Sequence, residues 1–197
     1  MKKIFLFLLV MLPCITLCAA DFSKKDLKRF EKEAKNEVKK WLERGYDVLP
    51  GSLPMQMQFE KSIKMQNETN EHGEHKYIVG TGSSKGETYN SAKLGAISGA
   101  KTNMVNMLAS EYEGFLEADL ANNVGVSVDR VITNISNKIK KQLGNIITLV
   151  EVYKENGYKN YEVTVIVAYS SQQAADLAKK IARQELEAEI KKIKEQE

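Results

Sequence analysis

The chain has 197 residues, a length that suits one domain, or one domain with appendages. With 43% hydrophobic and 28% charged residues, it is too apolar for an intrinsically disordered protein. The formal charge of +3 falls to +1, 27 basic against 26 acidic residues, when the first twenty residues are removed. This balance gives no support for nucleic-acid binding.

The first twenty residues have the pattern of a secretory signal peptide. Lys2 and Lys3 form a positive start, and the apolar run 4–12 is too short to span a bilayer. The segment 18–20 then places small residues at the −3 and −1 positions of a cleavage site. We therefore expect secretion across the inner membrane, to the periplasm or the outer membrane, and a mature chain beginning at Asp21.

Both cysteines, Cys14 and Cys18, lie inside this segment, so the mature chain would have no disulfide, thiolate metal site or cysteine nucleophile. Cys18 is also a candidate lipidation site, with Asp21 near the start of a short tether. A bacterial lipobox places a small residue before the cysteine, whereas Leu17 stands here. A soluble and a lipid-anchored mature protein are therefore both open.

Residues 21–76 are predicted to form an N-terminal helical extension. A helix is expected from Ser23 to Arg44, with Ser23 and Asp26 as its capping pair and Gly45 as its stop. Acidic residues interrupt its basic ones, so we expect it to pack on the body rather than lie on a membrane. Its apolar side chains recur every three or four residues: Leu27, Phe30, Ala34, Val38 and Trp41.

The segment 55–66 is ambiguous. Ser52 as a cap, with Pro54 in the first turn, favours a helix, at least for the first part. The apolar residues on alternate positions would instead suit a strand: Met55, Met57, Phe59, Ile63 and Met65.

A glycine-containing stretch follows, and it organises the domain predicted over 77–186. We expect a strand at 77–82, a turn over 80–86 and a long helix from Thr88. The first half of the inner helix face is small, which predicts close packing on the sheet that larger residues would block. The residues of this motif are Gly80, Gly82, Ala92, Ala96, Gly99 and Ala100, followed on the same face by Asn103, Met104, Met107, Leu108 and Phe115.

A glycine-rich turn before a helix can also bind phosphate through backbone N–H groups. Here the third glycine, Gly86, comes one position late for a dinucleotide fingerprint, and no acid-ended strand follows. A structural turn is favoured, and a small-ligand or phosphate-binding module using the Gly80–Gly86 turn is the alternative.

A β-hairpin is predicted over 146–169. Asn156 and Gly157 are the preferred pair for a two-residue type I′ turn, which would pair Glu155 with Tyr158. In that register Glu151 stands opposite Glu162, and one face of the hairpin is buried. Tyr153, Tyr158, Tyr161 and Tyr169 are attributed to cross-strand packing.

One helix is expected before this hairpin in the chain and another after it. The first runs from Ser127 to Leu143 with the stripe Val128, Val131, Ile132, Ile135 and Ile139. The second starts at Ser170 with a capping box to Gln173, buries Ala174, Ala178, Ala182 and Leu186, and ends in a charged helical tail over 187–197. The predicted fold class is α+β, a small antiparallel-containing sheet (hairpin 146–169 plus strand 77–82) packed by long helices.

No catalytic constellation emerges. His72 and His75 with Glu71 and Glu74 could hold a metal, but a solvated loop is favoured because no third fixed ligand is in view. The pair Glu111 and Glu113 is attributed to the surface. We therefore expect no cofactor, no metal and no enzymatic activity, with an unrecognised carboxylate site as a weaker hypothesis.

The strand Tyr77-Ile78-Val79-Gly80-Thr81-Gly82-Ser83-Ser84, followed by alanines at 92, 96 and 100, resembles the twenty-kilodalton bacterial lipoprotein domain family, as does the strand ending at Ala168-Tyr169. The resemblance covers about 77–186. It implies an exported, envelope-associated α+β domain without known catalysis. The partners we expect are an envelope protein or a second copy of the chain, with membrane contact only through a lipid anchor.

Overall fold

A computed structural model describes residues 22–120 and 128–195, and it places the side chains of these residues except 109–120, 128–130, 189–190 and 193–194. The predicted signal peptide with Cys18 therefore lies outside the described residues. The described chain contains five helices and three strands. These are α1 (Lys24–Glu43), α2 (Met55–Asn67), β1 (Tyr77–Gly86), α3 (Tyr89–Leu120), α4 (Val128–Gln142), β2 (Ile147–Glu155), β3 (Tyr161–Ser170) and α5 (Ser171–Lys194).

The N-terminal helices follow from local signals. The hydroxyl of Ser23 accepts a hydrogen bond of 3.1 Å from the N–H of Asp26, and Gly45 adopts φ +80° after α1, both as predicted. Residues 55–67 are helical, which decides against the strand. The predicted Ser52 cap is wrong, because the N-cap residue of α2 is Pro54 and no side chain forms a capping hydrogen bond there.

The three strands form an antiparallel sheet in the order β1-β3-β2, so β3 is central. The turn predicted over 80–86 is wrong. Strand β1 continues to Gly86, and all ten of its residues pair with β3, from Tyr77 opposite Ser170 to Gly86 opposite Tyr161. Glycine marks close approach of another backbone as well as turns, and here it is the approach of α3.

The β2–β3 hairpin exists, but its predicted turn and register are wrong. Glu155 pairs with Tyr161, and the connection has five residues, with Gly157 at φ +92° and Lys159 at φ 54°. From Val150 to Glu155 the pairing is displaced by three residues, before a bulge between Thr148 and Val150. Because three is odd, the side chains of this part of β2 lie on the opposite face of the sheet, relative to β3, from the face predicted. Glu151 consequently faces Val165, and Glu162 pairs with Lys154 instead.

The register is explained by burial on both faces of the sheet, where one buried face was predicted. Alternate residues of β3 point to opposite sides, and each side has its own core. One core lies between the sheet and α3, α4 and α5, and includes Val163, Val165 and Val167. The other lies under α1 and α2, and includes Ala34, Phe59, Val150, Val152 and Ala168. Two-sided burial outweighs the local preference of Asn156-Gly157.

The helices over the first core largely follow their predicted stripes. In α3 the side chains of Ala92, Ala96, Ala100, Met104 and Leu108 are buried, as are those of Val131, Ile135 and Ile139 in α4 and Ala174, Ala178 and Ala182 in α5. Two predictions for α3 are wrong: Asn103 is exposed, and Met107 keeps 41% of its surface exposed. Phe115 falls among the side chains outside the description. Across residues 22–120 and 128–195, none of the helices combines the length and hydrophobicity that a bilayer crossing needs.

Candidate functional site

Strand β1 lies flat against helix α3, which runs back along it. A Cβ atom added to Gly80 would stand 2.6 Å from Cγ of Met104, and one added to Gly82 would stand 3.0 Å from Cα of Ala100. Still shorter contacts would form to the carbonyl oxygens of Ala100 and Ala96. The predicted role of Gly80 and Gly82 as a packing device is confirmed, because no side chain fits between the strand and the helix.

The helix side of this contact is less demanding than predicted. A Cβ on Gly99 would lie 3.6 Å from Cα of Gly82, which is an ordinary van der Waals contact. A methyl group therefore fits at Gly99, and the prediction that larger residues would be blocked there is wrong. At Gly95 the added atom would meet the side chain of Ser84 and no backbone.

The hydrogen-bonding direction of each strand residue follows from the register. In an antiparallel ladder, alternate residues bond to the neighbouring strand and the others point away from it. The N–H of Ser171 donates to the carbonyl of Lys76 at 2.9 Å, which extends the β1–β3 ladder by one pair. Even-numbered residues of β1 therefore bond inward to β3, and odd-numbered residues direct their backbone groups to the outer edge.

The opposite edge of the sheet, on β2, is closed by residues from the N-terminal region. The side-chain oxygen of Gln58 accepts a 2.8 Å hydrogen bond from the N–H of Glu151. Asp47 pairs with Tyr153 through two backbone hydrogen bonds of 2.8 and 2.9 Å. The outward N–H of Glu151 and both outward backbone groups of Tyr153 thus find partners inside the chain.

The edge on β1 is open. Within the described residues, no hydrogen bond forms to the outward N–H and C=O groups of Val79, Thr81 and Ser83, and we call these groups the β1 edge. Thr81 and Ser83 are exposed. The hydroxyl of Ser83 is drawn inward by a 2.7 Å hydrogen bond with that of Thr164, so it does not cover the edge.

Charge does little to block this edge. Lys85 is the one ionisable residue in β1 beyond Tyr77, and it leans toward β3, with its Nζ 3.8 Å from Glu162. Natural proteins commonly protect open edges with charges, prolines, bulges or a covering segment. The β1 edge has the uncharged Thr81 at its centre, and strand β1 pairs with β3 without a bulge.

A polar cluster lies elsewhere on the sheet, on the α3 side. The carboxylate of Glu151 accepts a hydrogen bond from the hydroxyl of Tyr89 and lies 2.8 Å from Nζ of Lys93. The rings of Tyr89 and Tyr153 pack edge to face at 5.7 Å between centroids. Burial, followed by the hydrogen bond to Glu151, raises the pKa of Tyr89 above its usual value. Each group has a partner, so the cluster fixes α3 to β2.

The remaining sequence candidates do not converge. His72 and His75 lie in an exposed loop, in which the side chain of Asn70 accepts hydrogen bonds from the N–H groups of His72 and Glu74. Three or more metal-binding side chains do not come together anywhere in the described residues. Tyr158 is 90% exposed in the hairpin loop, so its assignment to cross-strand packing is wrong.

Two shallow grooves lie on the part of the surface that the structure describes. One of about 420 Å³ lies beside the start of α5, next to Tyr169 and Asp176. The other, of about 440 Å³, lies between α3 and α4 and is lined by Leu94, Ile97, Ser98, Lys101, Asn137, Lys140 and Lys141. Neither groove holds a catalytic pair. The β1 edge is therefore the candidate functional site. The one feature of the sequence that points to it is a strand without charges at its centre.

No family model matches the chain, and comparisons with curated proteins and with solved structures find no significant similarity.

Proposed function

We propose that the chain is an exported, non-enzymatic protein of the bacterial cell envelope that binds another polypeptide at the β1 edge. The signal-peptide pattern and the resemblance to the twenty-kilodalton lipoprotein family support export. The observation that carries the binding function is the difference between the two edges of the sheet. Asp47 and Gln58 pair with outward groups of Tyr153 and Glu151 in β2. The outward groups of Val79, Thr81 and Ser83 in β1 lack such partners in the described chain.

The mode of binding is strand addition. An extended segment placed beside β1 would pair with the outward N–H and C=O groups of Val79, Thr81 and Ser83, as peptides do when they add to a sheet edge. Each backbone hydrogen bond contributes about 0.5–1.5 kcal/mol net, so several are needed for a stable complex.

Strand β1 is already held rigidly in an extended conformation before a partner binds. Because Gly80 and Gly82 pack directly on the backbone of α3, β1 is held between the helix on one face and β3 on its side. A rigid edge loses little conformational entropy when a partner binds, and this preorganisation raises affinity. The small-residue motif thus supports binding indirectly, by fixing the strand.

The phosphate-binding alternative loses its geometric basis. It required a turn over 80–86 whose N–H groups were free to surround an anion. The N–H groups of Gly80 and Gly82 instead belong to the inward set that bonds to β3. We therefore do not propose that function.

The direct test is site-specific photo-crosslinking in cells. A photoreactive residue at Thr81 should give a discrete crosslinked species, because Thr81 is the centre of the β1 edge. The control position is Leu53, which is 53% exposed but lies far from β1 in the chain and belongs to the connection before α2. A Thr81 pattern identical to that of Leu53 would contradict the proposal.

Thr81→Pro provides the matched variant. Proline removes the outward N–H of Thr81 without removing a bond to β3, so we expect the fold to be preserved and the partner strand to lose a donor. Thr81→Val retains the N–H and serves as its control. Crosslinking from the neighbouring position 83 should be lost in Thr81→Pro and kept in Thr81→Val.

A further inference from the structure

We infer that the polypeptide bound at the β1 edge is an extended segment of a different chain, with small residues on its α3-facing side, and that an antiparallel second copy of this chain does not fit. The inference rests on the proposed strand addition. It names the class of partner that the surroundings of β1 admit.

The first step concerns the position of α3. The added Cβ positions place the start of α3, at Ala92, beside Gly86 and place Ala100 beside Gly80. The helix therefore covers β1 along its length, at backbone contact, and is not displaced toward β3. It also contacts β3, but the glycine contacts centre it on the edge strand itself.

The second step concerns self-pairing. Two antiparallel copies joined through β1 would be related by a two-fold axis perpendicular to the sheet, so both α3 helices would lie on the same face. Paired strands are about 4.8 Å apart, whereas packed helices need about 8–10 Å between their axes. Helices that each lie over their own β1 would therefore overlap.

The third step concerns an extended segment of another polypeptide that pairs with β1 as an added strand. A helix with its side chains is about 10–12 Å wide, so α3 overhangs the position that an added strand would occupy. Residues of that strand that point toward α3 have room only for small side chains. Those on the opposite face lie beside Thr81 and Ser83, which are exposed, so larger side chains fit there.

The probe for this inference is a synthetic peptide with the sequence of residues 76–86. Its alternate residues Gly80, Gly82 and Ser84 form a small face, and it lacks α3. A second peptide carries Gly80→Leu and Gly82→Leu, which makes that face bulky. Fluorescence anisotropy measures the binding of each labelled peptide to the mature chain, and sedimentation velocity measures the association state of the chain alone.

We expect the parent peptide to bind, with an affinity about tenfold weaker for the Leu peptide and for the Thr81→Pro chain. Thr81→Val should bind like the unchanged chain, and the chain alone should sediment as a monomer under the same conditions. Binding of the Leu peptide as tight as that of the parent would overturn the small-residue requirement.

A chain dimer that Thr81→Pro dissociates would overturn the exclusion of a second copy, while leaving strand addition at the β1 edge intact. If neither peptide binds in a manner sensitive to Thr81→Pro, and the chain is a monomer, the proposed function itself fails. The two failures are therefore distinguishable.

Discussion

Gly82 and Ala96 meet backbone to backbone. A Cβ atom on Gly82 would contact the carbonyl oxygen of Ala96 more closely than real Cβ atoms approach an oxygen, and it would also lie 3.0 Å from Cα of Ala100. The contact joins β1 and α3 into one unit. Strand β1 has glycines in place of larger side chains at 80 and 82, and this direct backbone contact explains why it is still held firmly.

Gly82→Ala is expected to destabilise the fold by about 1–3 kcal/mol or more, because the methyl group must displace helix backbone. Gly99→Ala is its control on the facing helix. There the methyl group fits at ordinary contact distance, and the gain in helix propensity is up to about 1 kcal/mol. Urea unfolding followed by circular dichroism measures both. Equal effects of the two substitutions would contradict the packing described for β1 and α3.

Gln58 lies far from β2 in the sequence, but its side chain binds the outer edge of that strand. It is 6% exposed, donates to the carbonyl of Leu53 at 2.7 Å and accepts from the N–H of Glu151 at 2.8 Å. Gln58→Ala removes both hydrogen bonds, and each contributes about 0.5–1.5 kcal/mol net, so we expect a loss of about 1–3 kcal/mol in the free energy of unfolding. Gln56→Ala, at a half-buried position in the same helix, should cost much less. A near-neutral Gln58→Ala would show that this edge is not closed as described.

Tyr89 should make the stability of the folded protein depend on pH in the alkaline range, and its raised pKa sets the direction of that dependence. Its pKa is raised in the folded protein, first by burial and then by the hydrogen bond to Glu151, relative to about 10 in the unfolded chain. The neutral tyrosine therefore contributes stability that is fully present below pH 10 and is lost as the pH rises through the raised value. Tyr89→Phe should cost about 1–2 kcal/mol near pH 7, and the difference from the unchanged protein should shrink above pH 10. Tyr46 and Tyr161, whose pKa values are also raised, are present in both proteins and cancel in the comparison. A difference that stays constant with pH would contradict this account of the cluster.

The predicted export signal is tested by the intact mass of the mature protein. Cleavage after Ala20 leaves a free amino terminus at Asp21, whereas lipidation leaves an acylated Cys18 as the first residue. Either mass would support export and would decide between a soluble and an anchored protein. Recovery of the chain with Met1 retained from its native host would contradict export.

Much of the architecture could be predicted because its signals are local. The cap at Ser23, the stop at Gly45 and the alanine stripe of α5 all act within a few residues, and the structure agrees with each. The hairpin register could not be predicted from Asn156-Gly157, since it depends on two cores that form on opposite faces of the sheet. The turn assigned to Gly80–Gly86 was wrong for a related reason. Glycine serves close approach as well as turns, and only the position of α3 distinguishes the two.

The β1 edge could not be predicted as the candidate site from the sequence. Whether β1 or β2 is left open depends on strand order and on two residues, Asp47 and Gln58, that come from far away in the chain. No local pattern in 77–86 marks the strand as an unpaired edge. What the sequence did indicate is that this stretch organises the fold, and the contact of Gly80 and Gly82 with α3 supports that view.

Amide hydrogen exchange in β1, measured residue by residue by NMR on the isolated protein, tests the central claim most directly. We predict an alternating pattern: slow exchange at Gly80 and Gly82, whose N–H groups bond to β3, and fast exchange at Val79, Thr81 and Ser83, whose N–H groups form the β1 edge. Protection of Thr81 and Ser83 equal to that of Gly80 and Gly82 would mean that the edge is already paired, and would contradict the proposal that it awaits a partner strand.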